Sequence, residues 1–310
     1  MPHHSRYFRM FVILLLGLTG LLFWGDPGEI RSIRHAWNLG HLIYFGLLTY
    51  LLLRVPLISR RTWPVQWALV LLITLVSGVL IELLQNGTQR TPDLEDVFRD
   101  LIGSLLVLVF LTNQWASAKR LAWRFAIKAM VLSLATLQLY PVAVSLFDEA
   151  MVRFQFPVLA DFTTPFQLTR WTGSARMDRL APPHLGNHDF MRVRLGTERY
   201  SGVALRHFPN DWRGFRRLQV KLFNPDEEPL RVTCRIHDYQ HVEGMQRYAD
   251  RFNRTFDLEP GINLLTIELA DIVAAPANRR MDLGRVHGLG LFVTRLTRPR
   301  TLYIQELRLE

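Results

Sequence analysis

The stretch Glu82–Gly103 reads ELLQNGTQRTPDLEDVFRDLIG and joins two apolar runs. Glu82 and Gln85 stand three residues apart and therefore share one helical face at the end of the first run. Beyond the turn, Thr91 and Pro92 have the residue types of a helix N-cap and a first helical position. The next carboxylates recur at helical spacing and line one side of the new helix: Asp93, Asp96 and Asp100. So many polar groups between hydrocarbon segments require a structural or functional reason.

Apolar segments precede residue 150 at about 9–24, 39–53, 65–85, 97–115 and 125–147. A transmembrane helix needs about 20 apolar residues, and the third and fifth segments come near that length, while the others need flanking residues. The first segment follows Arg6 and Arg9 as a signal peptide would, but Leu22–Asp26 lacks a small-x-small cleavage pattern. The pattern therefore predicts a five-span helical bundle whose first helix is not cleaved.

Basic residues are distributed unequally between the predicted loops. One alternate set of loops holds nine Lys or Arg and no Asp or Glu: Arg6, Arg9, Arg54, Arg60, Arg61, Lys119, Arg120, Arg124 and Lys128. The other set, residues 25–38 and 86–100, holds six Asp or Glu and four Arg. The positive-inside rule places the basic loops in the cytoplasm. We therefore expect a multi-pass protein of the plasma (inner) membrane, in contact with membrane lipid, with a cytoplasmic N-terminus and an extracytoplasmic C-terminal domain.

Composition narrows the function classes. The chain of 310 residues carries a net charge of +10, yet it has no Lys/Arg-rich block and no nucleic-acid-binding motif, so we expect no nucleic-acid partner. Its single cysteine, Cys234, excludes an intramolecular disulfide. The sequence also lacks a Gly-x-Ser-x-Gly motif and a phosphate-binding glycine loop. We predict no cofactor and no metal, and these features favour a protein that is not an enzyme.

His41 begins the second apolar segment, at the same predicted membrane depth as Glu82–Gly103. Three elements follow one another in this order: His41-x3-Phe45, Glu82-x2-Gln85 and Arg90-x5-Asp96-x3-Asp100-x2-Gly103. Through these elements the sequence resembles the VanZ-like family of small helical membrane proteins, over roughly residues 35–112. Asn38, Phe45 and Asp100 stand where that family has lysine, tyrosine and asparagine. The resemblance implies a helical membrane fold and an association with glycopeptide-antibiotic tolerance. It implies no particular reaction.

Three interpretations of these polar residues remain open. They could pair across helices and fix the bundle. They could bind a lipid-linked precursor or another cell-envelope ligand at the outer leaflet, with contacts from Gln85, Arg90 and Asp100. They could also perform acid/base catalysis, for which the candidate residues are His41, Glu82 and Asp96. The same three residues are the ones to test as ligands if a metal binds.

After Asp148 the pattern changes to short alternating runs separated by Gly, Pro, Asn and Asp. It predicts strands near 167–171, 189–195, 201–208, 216–223, 229–238, 252–257, 262–269, 289–295 and 302–309. Within Leu230–Asp238 the apolar residues alternate with Arg231, Thr233, Arg235 and His237. Cys234 lies on the apolar side and is predicted in the core. The opposite, basic side is either a solvated sheet face or an anion-binding platform.

So many short strands favour an antiparallel β-sandwich of the jelly-roll type. Five segments carry a further resemblance: Asp211–Phe215, Arg235–Asp238, Tyr248–Asn253, Pro260–Asn263 and Leu302–Leu309. They are similar to those of galactose-binding-like, carbohydrate-binding-module jelly rolls. Such domains bind sugars with aromatic rings and planar polar side chains. The ligand-binding candidates of this half are His237, Asp238, Tyr248, Asp250, Arg251 and Asn253. The alternative places Trp212 and Phe252 in the core and uses Asp250 and Arg251 to brace a loop.

The sequence therefore predicts an α+β multidomain protein. Residues 1–148 would form the five-span transmembrane bundle, and residues 149–310 an extracytoplasmic β-sandwich. The leading hypothesis is a VanZ-like membrane protein whose sandwich binds cell-envelope glycan, in envelope maintenance or antibiotic tolerance. One alternative is a membrane enzyme that acts on a lipid-linked envelope substrate at His41, Glu82 and Asp96. The other is a structural or assembly partner.

Overall fold

The computed structural model describes residues 13, 16, 17, 19, 28, 30–85, 93–112, 121–182 and 189–310, without the side chain of Gln85. The chain divides into two compact units, Met1–Leu146 and Phe147–Glu310. The described part of the first unit is helical, and the second consists mainly of antiparallel strands, so the predicted α+β class is confirmed.

The helices have the following bounds: α1 Arg31–Leu52, α2 Pro56–Ser59, α3 Trp63–Gln85, α4 Leu94–Leu111, α5 Leu121–Leu137 and α6 Tyr140–Gln155. Helix α4 packs against α1, α3 and α5. A Cβ atom on Gly103 would collide with the backbone oxygen of Leu42, so glycine permits the close approach of α4 to α1. The hydroxyl of Ser104 lies 2.8 Å from those of Thr49 and Thr74, and thus links three helices. Small and hydroxyl-bearing residues are the usual contacts between membrane helices.

The start of α4 differs from the prediction. Asp93 is the N-cap residue, and its carboxylate accepts a hydrogen bond from the backbone N–H of Glu95 at 2.9 Å. The prediction of Thr91 as the cap is wrong, because the helix begins at Leu94 and Asp93 satisfies the free N–H group of Glu95. Thr91 and Pro92 themselves lie outside the described residues.

Among the described residues, two helical segments are long and apolar enough to cross a membrane, judged by length and composition alone. They are Trp63–Leu84 and Leu121–Gln155. These segments overlap the third and fifth apolar segments of the sequence. The first apolar segment lies largely outside the described residues. The five-span bundle therefore stays a prediction.

The second unit is a sandwich of two antiparallel sheets. Its strands are β1 Val158–Ala160, β2 Trp171–Gly173, β3 Arg176–Arg179, β4 Met191–Leu195, β5 Ser201–Leu205, β6 Arg217–Asn224, β7 Leu230–Asp238, β8 Phe252–Leu258, β9 Gly261–Glu268, β10 Val286–Val293 and β11 Arg300–Leu309. One sheet has the order β3-β4-β11-β6-β9, with β1 also paired to β11, and the other has the order β2-β5-β10-β7-β8. The arrangement of β4–β11 in two sheets, β4-β11-β6-β9 and β5-β10-β7-β8, is that of a jelly roll.

The core lies between these sheets and follows the predicted alternation. Leu230, Val232, Cys234 and Ile236 of β7 are all buried. Burial raises the pKa of the Cys234 thiol to about 12, so this cysteine is a core residue and no nucleophile. Trp212 is also fully buried, and its indole N–H donates to the backbone oxygen of Pro209 at 3.0 Å. The prediction that Trp212 belongs to the core is confirmed.

The strand predicted at 167–171 is wrong, because Pro165–Arg170 forms a 3-10 helix. The side-chain oxygen of Gln167 accepts hydrogen bonds from the backbone N–H groups of Asp161 and Phe162, at 3.0 and 2.7 Å. Arg170 forms a fully buried ion pair with Asp148, with a shortest N···O distance of 2.7 Å. Asp148, assigned to the first half from sequence, is therefore tied to the sandwich.

Candidate functional site

One face of the five-stranded sheet points away from the core. Two glycines of β10 leave this face without side chains at their positions. Gly288 pairs with His237 of β7, and Gly290 pairs with Arg235. A Cβ atom on Gly288 would lie 2.7 Å from Cε1 of the His237 ring, which is closer than real Cβ contacts. A Cβ atom on Gly290 would lie 3.4 Å from Nε of Arg235. The side chains of β7 therefore lie across β10.

This outer face forms the floor of an open cavity of about 640 Å³. The floor includes residues of β5, β7 and β10: Gly202, Ala204, Thr233, Arg235 and Gly290. Tyr200 and Tyr248 line the cavity with their side chains 55% and 68% exposed. The ring of Phe292, also in the lining, contacts that of Tyr200 edge to face at a centroid distance of 6.0 Å. The cavity thus offers aromatic rings to a ligand above a polar floor.

The charged residues of this cavity are Arg206, Arg235 and Arg251, and its lining contains no Asp or Glu. Among the described residues, none of the three arginines forms an ion pair with a carboxylate. The Nε atoms of Arg235 and Arg251 are buried and have no hydrogen-bond partner in the part of the chain that the structure describes. Burial, followed by the charges of Arg251 and Arg206, lowers the pKa of Arg235.

Two of the predicted ligand-binding residues of the sandwich line this cavity. They are Tyr248 and Arg251, whose guanidinium carbon lies 5.5 Å from the centroid of the Tyr248 ring. Asn253 faces a neighbouring pocket and donates hydrogen bonds to the backbone oxygens of Tyr248 and Arg251, at 3.2 and 3.4 Å. Asn253 therefore supports the backbone that carries the other two side chains.

Asp238 and Asp250 are held by Arg279, which the sequence did not single out. Arg279 donates to Asp238 and to Asp250 with shortest distances of 2.6 Å each. Asp238 is fully buried and also accepts from the backbone N–H groups of His241 and Asp282, at 3.1 and 2.9 Å. The two carboxylates therefore brace the segment between β7 and β8. Their assignment as ligand-binding residues stays a prediction.

The pKa values of these groups agree with that role. Burial alone would raise the pKa of Asp238, but hydrogen bonds from Arg279 and from two backbone N–H groups outweigh it and lower the pKa. The hydrogen bond from Arg279 lowers the pKa of Asp250. His237 is buried beside Arg235, and burial first, then that cation, lower its pKa to about 3. His237 is therefore neutral at physiological pH and adds no charge beside Arg235.

The catalytic candidates of the helical unit do come together. Nδ1 of His41 lies 2.9 Å from a carboxylate oxygen of Asp100, and Nε2 lies 3.7 Å from Asp96. Glu82 accepts a hydrogen bond from the backbone N–H of Asp93 at 2.8 Å. One potential ligand atom from each of His41, Glu82 and Asp96 lies within 4.8 Å of the others. We call these three residues with Asp100 the helical cluster.

Arg99 reduces the negative charge of the helical cluster and was not predicted. It forms ion pairs with Asp96 and Glu95, and its Nε donates to the side chain of Gln138 at 3.2 Å. The other oxygens of Glu82 and Asp100 have no partner among the described residues. The predicted contacts Gln85 and Arg90 cannot be placed in the cluster, because the side chain of Gln85 and all of Arg90 lie outside the described residues.

Sequence reasoning missed most of the cavity lining. Arg235 was recognised as an outward-facing residue of β7 but was not selected as a site residue. Tyr200 and Arg206 flank the two ends of β5, Ser201–Leu205, and the outward-facing residues between them, Gly202 and Ala204, are small. Small residues on a sheet face leave room for a ligand, so that pattern could have located the floor.

No family model matches the chain, and no curated protein matches it. Among solved structures, the chain is similar to the family 11 carbohydrate-binding module from Clostridium thermocellum in complex with a β-1,3-1,4-mixed-linked tetrasaccharide, at 11% identity and a TM-score of 0.38 over 49% of this chain and 93% of that one. An exo-β-agarase is similar at 15% identity and a TM-score of 0.40, over 49% of this chain and 24% of the agarase. The family 30 carbohydrate-binding module of a C. thermocellum cellulosomal cellulase follows at 13% identity and a TM-score of 0.34, over 46% of this chain and 91% of that one. At these TM-scores the fold assignment rests on the strand order given above.

Replacing Arg279 by Gln should destabilise the sandwich by about 3 kcal/mol, because the buried carboxylate of Asp238 then loses its charged partner. The measurement is the free energy of unfolding in denaturant at pH 7. The matched control is Arg254→Gln, which breaks an exposed pair with Asp271 and should cost at most about 1 kcal/mol. Equal effects of the two substitutions would contradict the bracing role.

The ion pairs of Arg279 with Asp238 and Asp250 predict that the stability of the sandwich depends on pH. Because the folded-state pKa values of Asp238 and Asp250 are lowered, their stabilisation is present above the ordinary Asp value of 3.8 and is lost as the pH falls through the folded-state values. The loss in free energy of unfolding caused by Arg279→Gln should therefore be largest near neutral pH and should become smaller in acid. A deficit that does not change between pH 7 and pH 3 would contradict the assignment.

Proposed function

We propose that the sandwich is a glycan-binding module and that the cavity on its five-stranded sheet is the binding site. The observation that carries this proposal is the combination of exposed aromatic rings with planar guanidinium groups above a glycine-containing floor. Sugar rings stack on aromatic faces, and their hydroxyl groups accept hydrogen bonds from guanidinium donors. A volume of about 640 Å³ lies within the range of small-ligand sites.

We propose further that the chain is a multi-pass protein of the plasma membrane, with the N-terminus in the cytoplasm and the sandwich outside. Large apolar side chains exposed on α3 support this, among them Leu72, Val76 and Leu83 at 57, 59 and 62%. A helix that exposes such residues while it contacts others through Thr74 and Glu82 fits a lipid environment. Together with the glycan site, this placement supports binding of cell-envelope glycan.

The helical cluster supports a second candidate function. His41, Glu82, Asp96 and Asp100 meet among apolar helices, and intramembrane ionisable groups commonly serve a site. In this proposal the cluster belongs to a VanZ-like bundle and performs acid/base chemistry on a lipid-linked envelope substrate. His41 would exchange a proton with the substrate, and Asp100, hydrogen bonded to its other ring nitrogen, would orient it. A purely structural network is the competing explanation.

Tyr200→Ala and Tyr248→Ala should each weaken glycan binding about fivefold, because each removes a stacking surface. The full-length protein in detergent is first screened against plant, algal and bacterial glycans, and affinities for the best ligand are then measured by calorimetry. Leu264→Ala is the matched control, since Leu264 is exposed on β9 of the other sheet. Failure to bind any of these glycans would overturn the proposed function.

The proposed membrane orientation can be tested with introduced cysteines. Native Cys234 is fully buried with a pKa near 12 and should not react, so it need not be removed. A membrane-impermeant maleimide should label Glu227→Cys in intact spheroplasts. It should label Arg61→Cys, in the basic loop before α3, only after permeabilisation. The opposite labelling pattern would contradict the orientation.

Asp96→Asn should abolish the complementation of an envelope-stress defect in a strain that lacks this protein, if the helical cluster is catalytic. Glu95→Gln is the matched control, because Glu95 is the exposed neighbouring carboxylate that also pairs with Arg99. Immunoblots of the membrane fraction report abundance. Loss of the protein itself in Asp96→Asn, with normal abundance in Glu95→Gln, would favour the structural network instead.

A further inference from the structure

The arginines in the cavity of the sandwich differ from many other arginines of this unit in their charged neighbours. Elsewhere the arginines of the sandwich are commonly paired with carboxylates, as in Arg217–Glu268, Arg231–Asp257, Arg254–Asp271 and Arg300–Asp226. In the cavity, Arg206, Arg235 and Arg251 converge without a carboxylate in the lining. Three cations gathered in one concavity repel one another, and burial adds to the cost of each charge.

The pairing of β7 with β8 gives two arginines of one sheet face different neighbours. Arg231 and Arg235 point to the same side of β7, four residues apart along the strand. Opposite Arg231 stands Asp257, and their side chains form an ion pair at 3.2 Å. Opposite Arg235 stands Asn253, which has no charge and directs its amide N–H groups to backbone oxygens. The same sheet face therefore neutralises one arginine and leaves the other open to the cavity.

Two of the open arginines have a donor without a protein partner in the described part of the chain. Nε of Arg235 and Nε of Arg251 are buried and make no hydrogen bond to any described residue. A guanidinium group presents its donors in a plane that matches the two oxygens of a carboxylate, or a pair of oxygens of a sulfate or phosphate. A bound anion would therefore pair with the guanidinium groups that line the cavity and offset their mutual repulsion. A neutral sugar would not offset that repulsion.

We propose that the cavity selects an anionic glycan, whose carboxylate, sulfate or phosphate groups bind Arg206, Arg235 and Arg251 while its sugar rings stack on Tyr200 and Tyr248. This inference rests on the proposed glycan-binding function and specifies its ligand class. The tyrosines favour a saccharide over a free anion, because a small anion would use the arginines alone. The exposed rings and the cationic floor contribute to one lining, so both kinds of contact are available to a single ligand.

The experiment compares saccharides that differ only in charge. Full-length protein in detergent is titrated at low salt with oligogalacturonate and its methyl ester, and with dextran sulfate and dextran. We expect binding of at least one charged member about tenfold tighter than that of its neutral partner, as expected for charge-assisted hydrogen bonds. The preference should decline with added salt. It should be lost in Arg235→Gln and kept in Arg231→Gln, the paired arginine of the same strand face.

The other outcomes separate the inference from the function on which it rests. Equal binding of charged and neutral saccharides would overturn the charge selection and leave the glycan-binding function standing. Binding to no saccharide would overturn both. Inorganic phosphate or single-stranded DNA that competes as well as the charged saccharide would show a general anion site and overturn the assignment to glycan. If Arg235→Gln fails to fold, as judged by its unfolding transition, Arg251→Gln provides the same test from the loop.

Discussion

The pairing of β10 with β7 is the constraint on which the outer face of the sandwich depends. It places Gly288 and Gly290 opposite His237 and Arg235, and neighbouring strands lie only about 4.8 Å apart. Any larger residue at Gly288 would collide with the His237 ring. The register of this pair shifts between Val286 and Gly288. A shift of one residue would turn Arg235 into the core and expose Ile236, so the core and the cavity floor are fixed together.

The segment between β7 and β8 forms a wall of the cavity, and its position is set by charges that pair with one another. Arg279 ties Asp238, at the end of β7, to Asp250, just before β8. Tyr248 and Arg251 lie beside this junction and reach into the cavity. The aspartates thus act on the site indirectly, because they hold the backbone from which a ring and a guanidinium extend. This explains why a segment rich in polar residues contributes only two side chains to the lining.

Sequence periodicity predicted the parts of this protein that depend on alternation along one strand. It identified the core side of β7, including Cys234, and the outward position of Arg235, since a strand alternates its faces regardless of its partners. It could not predict which partner stands opposite. Whether an arginine faces Asp257 or Asn253 depends on pairing between strands, and Arg279 is distant in sequence from both aspartates that it holds. The errors at 167–171 and Thr91 have a different cause, because side chains of Gln167 and Asp93 bond nearby backbone N–H groups and decide the local structure.

The helical cluster and the sandwich cavity differ more in how their charges are paired than in how many polar residues they contain. The helical cluster contains more acidic groups, but Asp96 is paired with Arg99, Asp100 with His41, and Glu82 with the backbone N–H of Asp93. Each acidic group thus has one partner, as a network that fixes helices requires, while the second oxygens of Glu82 and Asp100 have none among the described residues. In the sandwich cavity the cations have no internal counterpart among the described residues, and the fold bears the cost of keeping them together. A protein can offset that cost most directly with a ligand of opposite charge, which is why the cavity is the stronger of the two sites.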